Sequence, residues 1–200
     1  MSSLLSGKEA LAQINKDYVV AKIGGKVRIV SWETKDAGGG RTHKIVTFSS
    51  VADIKALLSN RFYGVKHVDT EGNKTITRKP LFDYWNKHKD RPTAIGFTID
   101  PGGERFVGDR LNLWQGFGVQ PKQGDWSLLR HHIDDVVCSG NADHAGYLLR
   151  YLAYAIQNPT VQSEVIVILR GKQGTGKGTL ATLMCDIFGA HGLHVTQSRQ

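Results

Sequence analysis

The stretch that most restricts the fold is VIVILRGKQGTGKGTLATLM, residues 165–184. Glu164 to Arg170 form a continuous run rich in β-branched residues, the pattern of a strand buried on both faces. A glycine-rich loop follows at once. Leu180, Leu183, Met184, Ile187 and Phe188 then repeat at helical spacing until Gly189 supplies a stop. Strand, loop and helix in this order are what a phosphate-binding loop of the G-x-x-x-x-G-K-[ST] kind requires. Gly171, Gly174 and Gly176 are expected to permit positive φ with no Cβ in the way, so that successive N–H groups turn inward around phosphate oxygens. The helix N-terminus adds partial positive charge, and Lys177 can reach the β- and γ-phosphates as a point charge.

Directly after the lysine, where the pattern asks for a hydroxyl, the chain has Gly178, with Thr179 next. In most such loops the first hydroxyl ligates Mg²⁺ and the second contacts the α-phosphate. Mg²⁺ would then be held by phosphate oxygens, water and a carboxylate from elsewhere in the fold. The expected nucleotide-binding residues are Gly171, Gly174, Thr175, Gly176, Lys177, Gly178 and Thr179, with no protein metal ligands assigned. The G-x-x-G-x-G-K-G-T form is similar to the loop of adenylate-kinase-type nucleotide kinases, which work without that first hydroxyl. Those enzymes carry the loop at the start of the chain, whereas 170 residues precede Gly171 here, so a nucleotide kinase is disfavoured.

Charge divides the 200 residues unevenly. Residues 1–110 carry 19 Lys/Arg against 12 Asp/Glu, a net +7, and residues 111–200 carry 7 against 6, a net +1. A basic partner surface belongs to the first part, and a positive field of this size suits nucleic acid or another polyanion. Cys138 and Cys185 stand far apart, with neither a disulfide framework nor zinc spacing, which fits a reducing compartment. The N-terminus lacks a signal pattern, and no window approaches the roughly 18 consecutive apolar residues of a membrane helix. A soluble, intracellular protein with no membrane partner is expected.

After a polar lead-in, DYVVAKIGGKVRIVSW alternates about Gly24 and Gly25 as two strands joined by a tight turn. HKIVTF reads as a third strand, and Ser50 with Asp53 as a capping box opening a helix through VADIKALLSN. KTITRKP suggests a further strand. Pro80 stands at the first turn of a helix PLFDYWNKHK with Leu81, Tyr84, Trp85 and His88 on one face, and TAIGFTIDPGG reads as a strand ending in a turn. LNLWQGFGVQPKQGDW reads as an irregular connection. Two helices follow, one with Trp126, Leu129, Ile133 and Val137 in a stripe, the other with Leu148, Tyr151, Leu152, Ala155 and Ile156, stopped by Pro159. The expected organisation is a basic α+β region over 1–110, a connection and two-helix segment over 111–160, and the start of a P-loop α/β domain over 161–200.

The stretch RKPLFDYWNKHKDR, residues 78–91, interleaves cations with aromatics. Arg78, Lys79, Trp85, Lys87, Lys89 and Arg91 are candidate nucleic-acid contacts, aromatics stacking on bases while cations track the backbone. The alternative is an amphipathic helix that buries its aromatics behind a solvated basic face. His131 with Asp135, and His191 with His194, lack the partners to close a zinc site. Asp134 and Asp135 read as helix surface, and no D-x-D pair offers a polymerase or primase centre.

In their joint order, LNLWQGFGVQP, YLLRYLAYAIQNP and VIVILRGKQGTGKGTLA resemble the superfamily 3 helicase region of phage and prophage primase-helicase proteins, a family related to the NrS-type phage polymerase. INKDYVVAKIGGKVRIV and FTIDPGG resemble that family's lead-in, so the similarity runs from about Asn15 to the end. The resemblance implies an ATP-dependent DNA helicase with ATP and Mg²⁺ as cofactors, acting in phage or prophage replication in the bacterial host cytoplasm. It implies DNA and replication proteins as partners and a homo-oligomeric ring in the full-length protein. By motif match, Gly171, Gly174, Gly176, Lys177 and Thr179 are the nucleotide loop. Such an ATPase also needs a second strand ending in carboxylates, a polar sensor and usually a neighbour's arginine. After Phe188 the sequence GAHGLHVTQSRQ has room for one short strand and no acidic pair, and Asp100 lies upstream, better read as a turn residue. The chain is therefore expected to be the N-terminal portion of a longer helicase, or a truncated product, that binds nucleotide weakly and does not hydrolyse it. The alternative from another class is a non-enzymatic basic DNA-binding protein with a remnant loop.

Overall fold

The computed structural model describes residues 4–38, 41–68, 70–172 and 174–195. Its strands and helices form two units, Met1–Leu113 and Trp114–Gln200, and the chain is mixed α and β.

In the first unit, Gly24 and Gly25 take φ of +52° and +79°, the mirror-image turn that matches strand twist. They join β1 (Val19–Ile23) to β2 (Lys26–Gly38), and β3 (Arg41–Ser49) pairs antiparallel on the far side of β2. Further along, β6 (Thr93–Ala94) runs parallel to β1, giving the order β3-β2-β1-β6. The central position of β1 explains its uninterrupted apolar start: Val19 and Ala21 enter one core cluster and Val20 the other.

The lead-in is not merely polar, for it contains α1 (Gly7–Asp17). Ser6 Oγ accepts from Glu9 N at 3.4 Å while Glu9 Oε2 accepts from Ser6 N at 2.9 Å, a capping box. Ala10, Leu11 and Ile14 bury one face. The second box forms between Ser50 and Asp53 and opens α2 (Val51–Leu57). A hairpin of β4 (Phe62–Val68) and β5 (Lys74–Pro80) leads into α3 (Leu81–Lys87), with Pro80 as its N-cap. Helices α1, α2 and α3 share a core with Val20, Ile29 and Tyr63.

Trp85 is the centre of that core and is fully buried. Its Nε1 donates to Asn15 Oδ1 at 2.9 Å, and Asn15 Nδ2 donates to Asp90 O at 3.0 Å. The indole finds a polar partner and an apolar wall together, so burial costs it no hydrogen bond. Trp85 therefore has no face to offer a base, which corrects its place among the nucleic-acid candidates.

TAIGFTIDPGG is not one strand. It divides into β6 and β7 (Gly96–Thr98), and β7 belongs to a second sheet ordered β7-β9-β8, with β8 (Phe106–Val107) and β9 (Arg110–Asn112). Asn112 holds the connecting turn: Oδ1 accepts from Asp100 N at 3.0 Å, and Nδ2 donates to Asp100 O at 2.8 Å and Glu104 O at 3.1 Å. Arg105 reaches back to the end of α1, donating to Asn15 O at 2.7 Å and Lys16 O at 3.1 Å, where orphan carbonyls and the negative helix end favour a cation.

In the second unit, α4 (Ser127–His131) widens directly into a π turn over His132–Val137, and α5 (Ala142–Gln157) follows, capped by Asn141 Oδ1 accepting from His144 N at 3.0 Å. Ile133, Ala145 and Leu148 form a small core with Leu180 of α6 (Lys177–Phe188). Trp126 was expected on the buried stripe but is half exposed. Trp126 is the N-cap residue of α4, with φ −121° and ψ 17°, so it lies outside the helix and the helical period does not reach it, whereas Leu129, Ile133 and Val137 do pack together.

The run Glu164–Arg170 also departs from expectation. Val167 and Leu169 pack into the core, but Ile166 is 84% exposed and Ile168 76%. The alternation is that of an extended chain with one covered face. Among the described residues no strand pairs with it, and a parallel strand is covered on both faces only when neighbours and crossover helices surround it. Residues 196–200, the remainder of the short strand expected after Phe188, lie outside the described residues, and 192–195 form no strand.

Candidate functional site

The loop between Arg170 and α6 is positioned from both ends. Tyr151 of α5 donates its hydroxyl to Val165 O at 3.1 Å, holding the incoming segment, and Leu180 anchors the first turn of α6 in the core. Gly174 and Gly176 adopt φ of +83° and +72°, and Gly176 is the N-cap residue. Gly171 does not have positive φ, so it is a glycine for a different reason than expected. A Cβ there would stand 3.3 Å from Thr175 Oγ1 and 3.5 Å from Lys177 Nζ, inside the space the lysine uses.

Lys177 folds across this space. Its Nζ donates to Gly171 O at 2.9 Å, Lys172 O at 2.6 Å and Thr175 Oγ1 at 2.9 Å, using all three ammonium protons. Thr175 Oγ1 is also within 2.9 Å of Lys172 O. The result is one positive charge at the centre of a glycine loop and beside a helix start, with Thr175 and Thr179 exposed nearby. This donor set fits a phosphate chain. The loop itself offers a Mg²⁺ ion no carboxylate and, at Gly178, no side chain.

The far end of α6 is clamped by aromatics. Trp114 stacks on His191 at 4.6 Å with planes 5° apart, Phe117 meets Phe188 edge-on at 5.7 Å, and Gly118 N donates to Ile187 O at 2.8 Å. A Cβ on Gly118 would collide with Gly189 backbone, so the WQGFG stretch has a packing role. His191 Nε2 accepts from Gln115 N at 3.1 Å, and burial lowers its pKa from the ordinary 6.5. Below about pH 6.5 the unfolded chain takes a proton that the folded ring resists, so its stabilisation is present above that pH and lost as pH falls. His191→Phe, which keeps a ring against Trp114, is expected to show a smaller melting-temperature drop than the native chain between about pH 7.5 and pH 5.5. Equal drops in the two proteins would contradict this origin. His194 is exposed and takes no part.

His131 pairs with Asp135 at 2.5 Å and Arg130 with Asp134 at 2.6 Å, both one turn along the helix surface. Cys138 and Cys185 are free thiols, and burial raises the pKa of Cys138. No helix of the described residues is long and apolar enough to cross a membrane.

The remaining basic candidates separate in space. Lys87 and Lys89 are exposed, whereas Arg91 is half-buried and donates to Asn86 O and Oδ1, both at 2.6 Å. Arg78 lies over the Phe62 ring at 4.9 Å on the outer face of the β4–β5 ribbon. Cross-strand register puts Lys66 beside Ile76 and Lys74 beside Val68 on that same face, and Lys79 on the other. These two strands carry four cations with no carboxylate. Lys66 and Lys74 were missed because β4 was not recognised; the alternation of FYGVKHV across DTEGN from KTITRKP was the signal.

Comparison with protein-family models, curated proteins and solved structures finds no match to this chain.

Proposed function

We propose that the second unit binds ATP through the loop Gly171–Thr179, as part of an ATP-dependent DNA helicase of the primase-helicase type. The observation that carries the reading is the Lys177 ammonium centred on Gly171 O, Lys172 O and Thr175 Oγ1 at the start of α6, where a triphosphate's oxygens replace those acceptors. Mg²⁺ would arrive on the nucleotide, held by phosphate oxygens, water and a carboxylate from elsewhere in the fold, because Gly178 has no side chain to offer. Calorimetric titration with MgATP tests the reading: one saturable site is expected, and the absence of binding heat at millimolar nucleotide overturns it.

The basic ribbon supports DNA as the partner, and it also favours the second reading, a DNA-binding protein whose loop is a remnant. A two-stranded ribbon has the width of the major groove, and cations against phosphates release counterions. Replacing Lys66, Lys74 and Arg78 by Gln is expected to lower the log–log salt slope of duplex DNA binding by about 2 to 3. An unchanged slope removes the ribbon from the interface.

A further inference from the structure

His132 opens the π turn, 44 residues before the loop glycine it touches. Its Nε2 lies 3.2 Å from Gly176 O. A carbonyl oxygen only accepts, so Nε2 carries the proton. The same oxygen accepts from Thr179 N at 3.0 Å. A Cβ on Gly176 would collide with the imidazole, so the ring sits directly against that backbone. The Gly176 oxygen is thus gripped from two directions.

In a trans peptide the carbonyl of one residue and the N–H of the next point to opposite sides of one rigid plane, and the described chain has no cis bonds. Fixing Gly176 O therefore fixes the direction of the Lys177 N–H, the first backbone donor of α6. The φ of +72° at Gly176 is a conformation that an L-residue would resist, and glycine alone would leave this peptide easy to rotate.

We infer that His132 is a positioning residue for the phosphate loop: its Nε2–H pins the Gly176–Lys177 peptide so that the Lys177 N–H is preset toward a polyphosphate. This rests on the nucleotide reading above. The interaction acts on the phosphate chain and not on the base, so ATP and inorganic tripolyphosphate are affected alike. A preset donor removes the ordering cost that a free peptide would meet on binding.

The test is calorimetry of the full chain with MgATP and with Mg-tripolyphosphate, with thermal melts alongside, for the native protein, His132→Gln and His132→Leu. Gln keeps an N–H at comparable reach, and Leu keeps bulk without a donor. The Leu variant is expected to bind both ligands about 5- to 10-fold more weakly, the loss of one hydrogen bond, and the Gln variant to stay within about threefold of native. If His132→Leu fails to fold, His132→Asn, polar but too short to reach Gly176 O, takes its place. Native-like binding by the donor-less variant, or equal loss in the Gln variant, overturns the inference while leaving the nucleotide site standing. A native chain that binds neither ligand overturns both.

Discussion

Lys177→Ala is expected to weaken MgATP binding roughly 10- to 100-fold, the value of one or two charge-assisted hydrogen bonds. Gly171–Thr179 carries two charges, Lys172 and Lys177, and the Lys177 ammonium bonds three of the loop's own acceptors. Removing it takes away a point charge without filling the loop or changing φ at Gly174 or Gly176. The start of α6 does not depend on this side chain, because Leu180 is packed in the core and Ala is a strong helix former. The melting temperature should therefore move by no more than a few degrees. Calorimetry reads the affinity and a thermal melt reads the fold. Undiminished binding in a folded Lys177→Ala chain would place the nucleotide elsewhere.

Trp85→Ala is expected to cost the first unit about 3 to 5 kcal/mol, the range for truncating a buried large aromatic. The indole is fully buried, meets Tyr18 at 6.1 Å and Phe82 at 5.9 Å between ring centroids, and satisfies Asn15. Its loss opens a cavity and leaves Asn15 Oδ1 without its donor, so the melting temperature should fall by more than about 10 °C. Trp85→Phe keeps most of the ring volume and should cost about 1 to 2 kcal/mol. Neither change should alter DNA affinity at temperatures where the variant is folded. A Trp85→Phe chain with native stability and weakened DNA binding would return the indole to the interface.

Local chemistry made much of the first unit legible. Gly24–Gly25 dictates its turn, and the Ser50–Asp53 box sets the start of α2 wherever the rest of the chain goes. The α5 pattern is long enough for its period to be unambiguous. Helix α1 escaped notice because three buried residues, Ala10, Leu11 and Ile14, are a thin stripe among polar neighbours. The split of TAIGFTIDPGG is dictated from outside it, by β1 on one part and β9 on the other.

The positive φ of Gly174 and Gly176 was legible because φ requirements are local, whereas Gly171 lacks the positive φ expected of it and leaves room instead for Thr175 and Lys177. What lay beyond sequence was everything that depends on a distant partner. The burial of Trp85 needs Asn15, 70 positions away, and the His132 contact with Gly176 spans 44. The coverage of Ile166 and Ile168 likewise depends on neighbours that no local pattern supplies.

The most direct measurement of nucleotide binding at Gly171–Thr179 is an amide ¹H–¹⁵N NMR titration of the full chain with MgATP. Saturable shifts are expected at Gly174, Gly176, Lys177 and Thr179, with no comparable change along β1 to β3. Saturation without movement of the Gly176 and Lys177 amides, or shifts confined to the first unit, would contradict it.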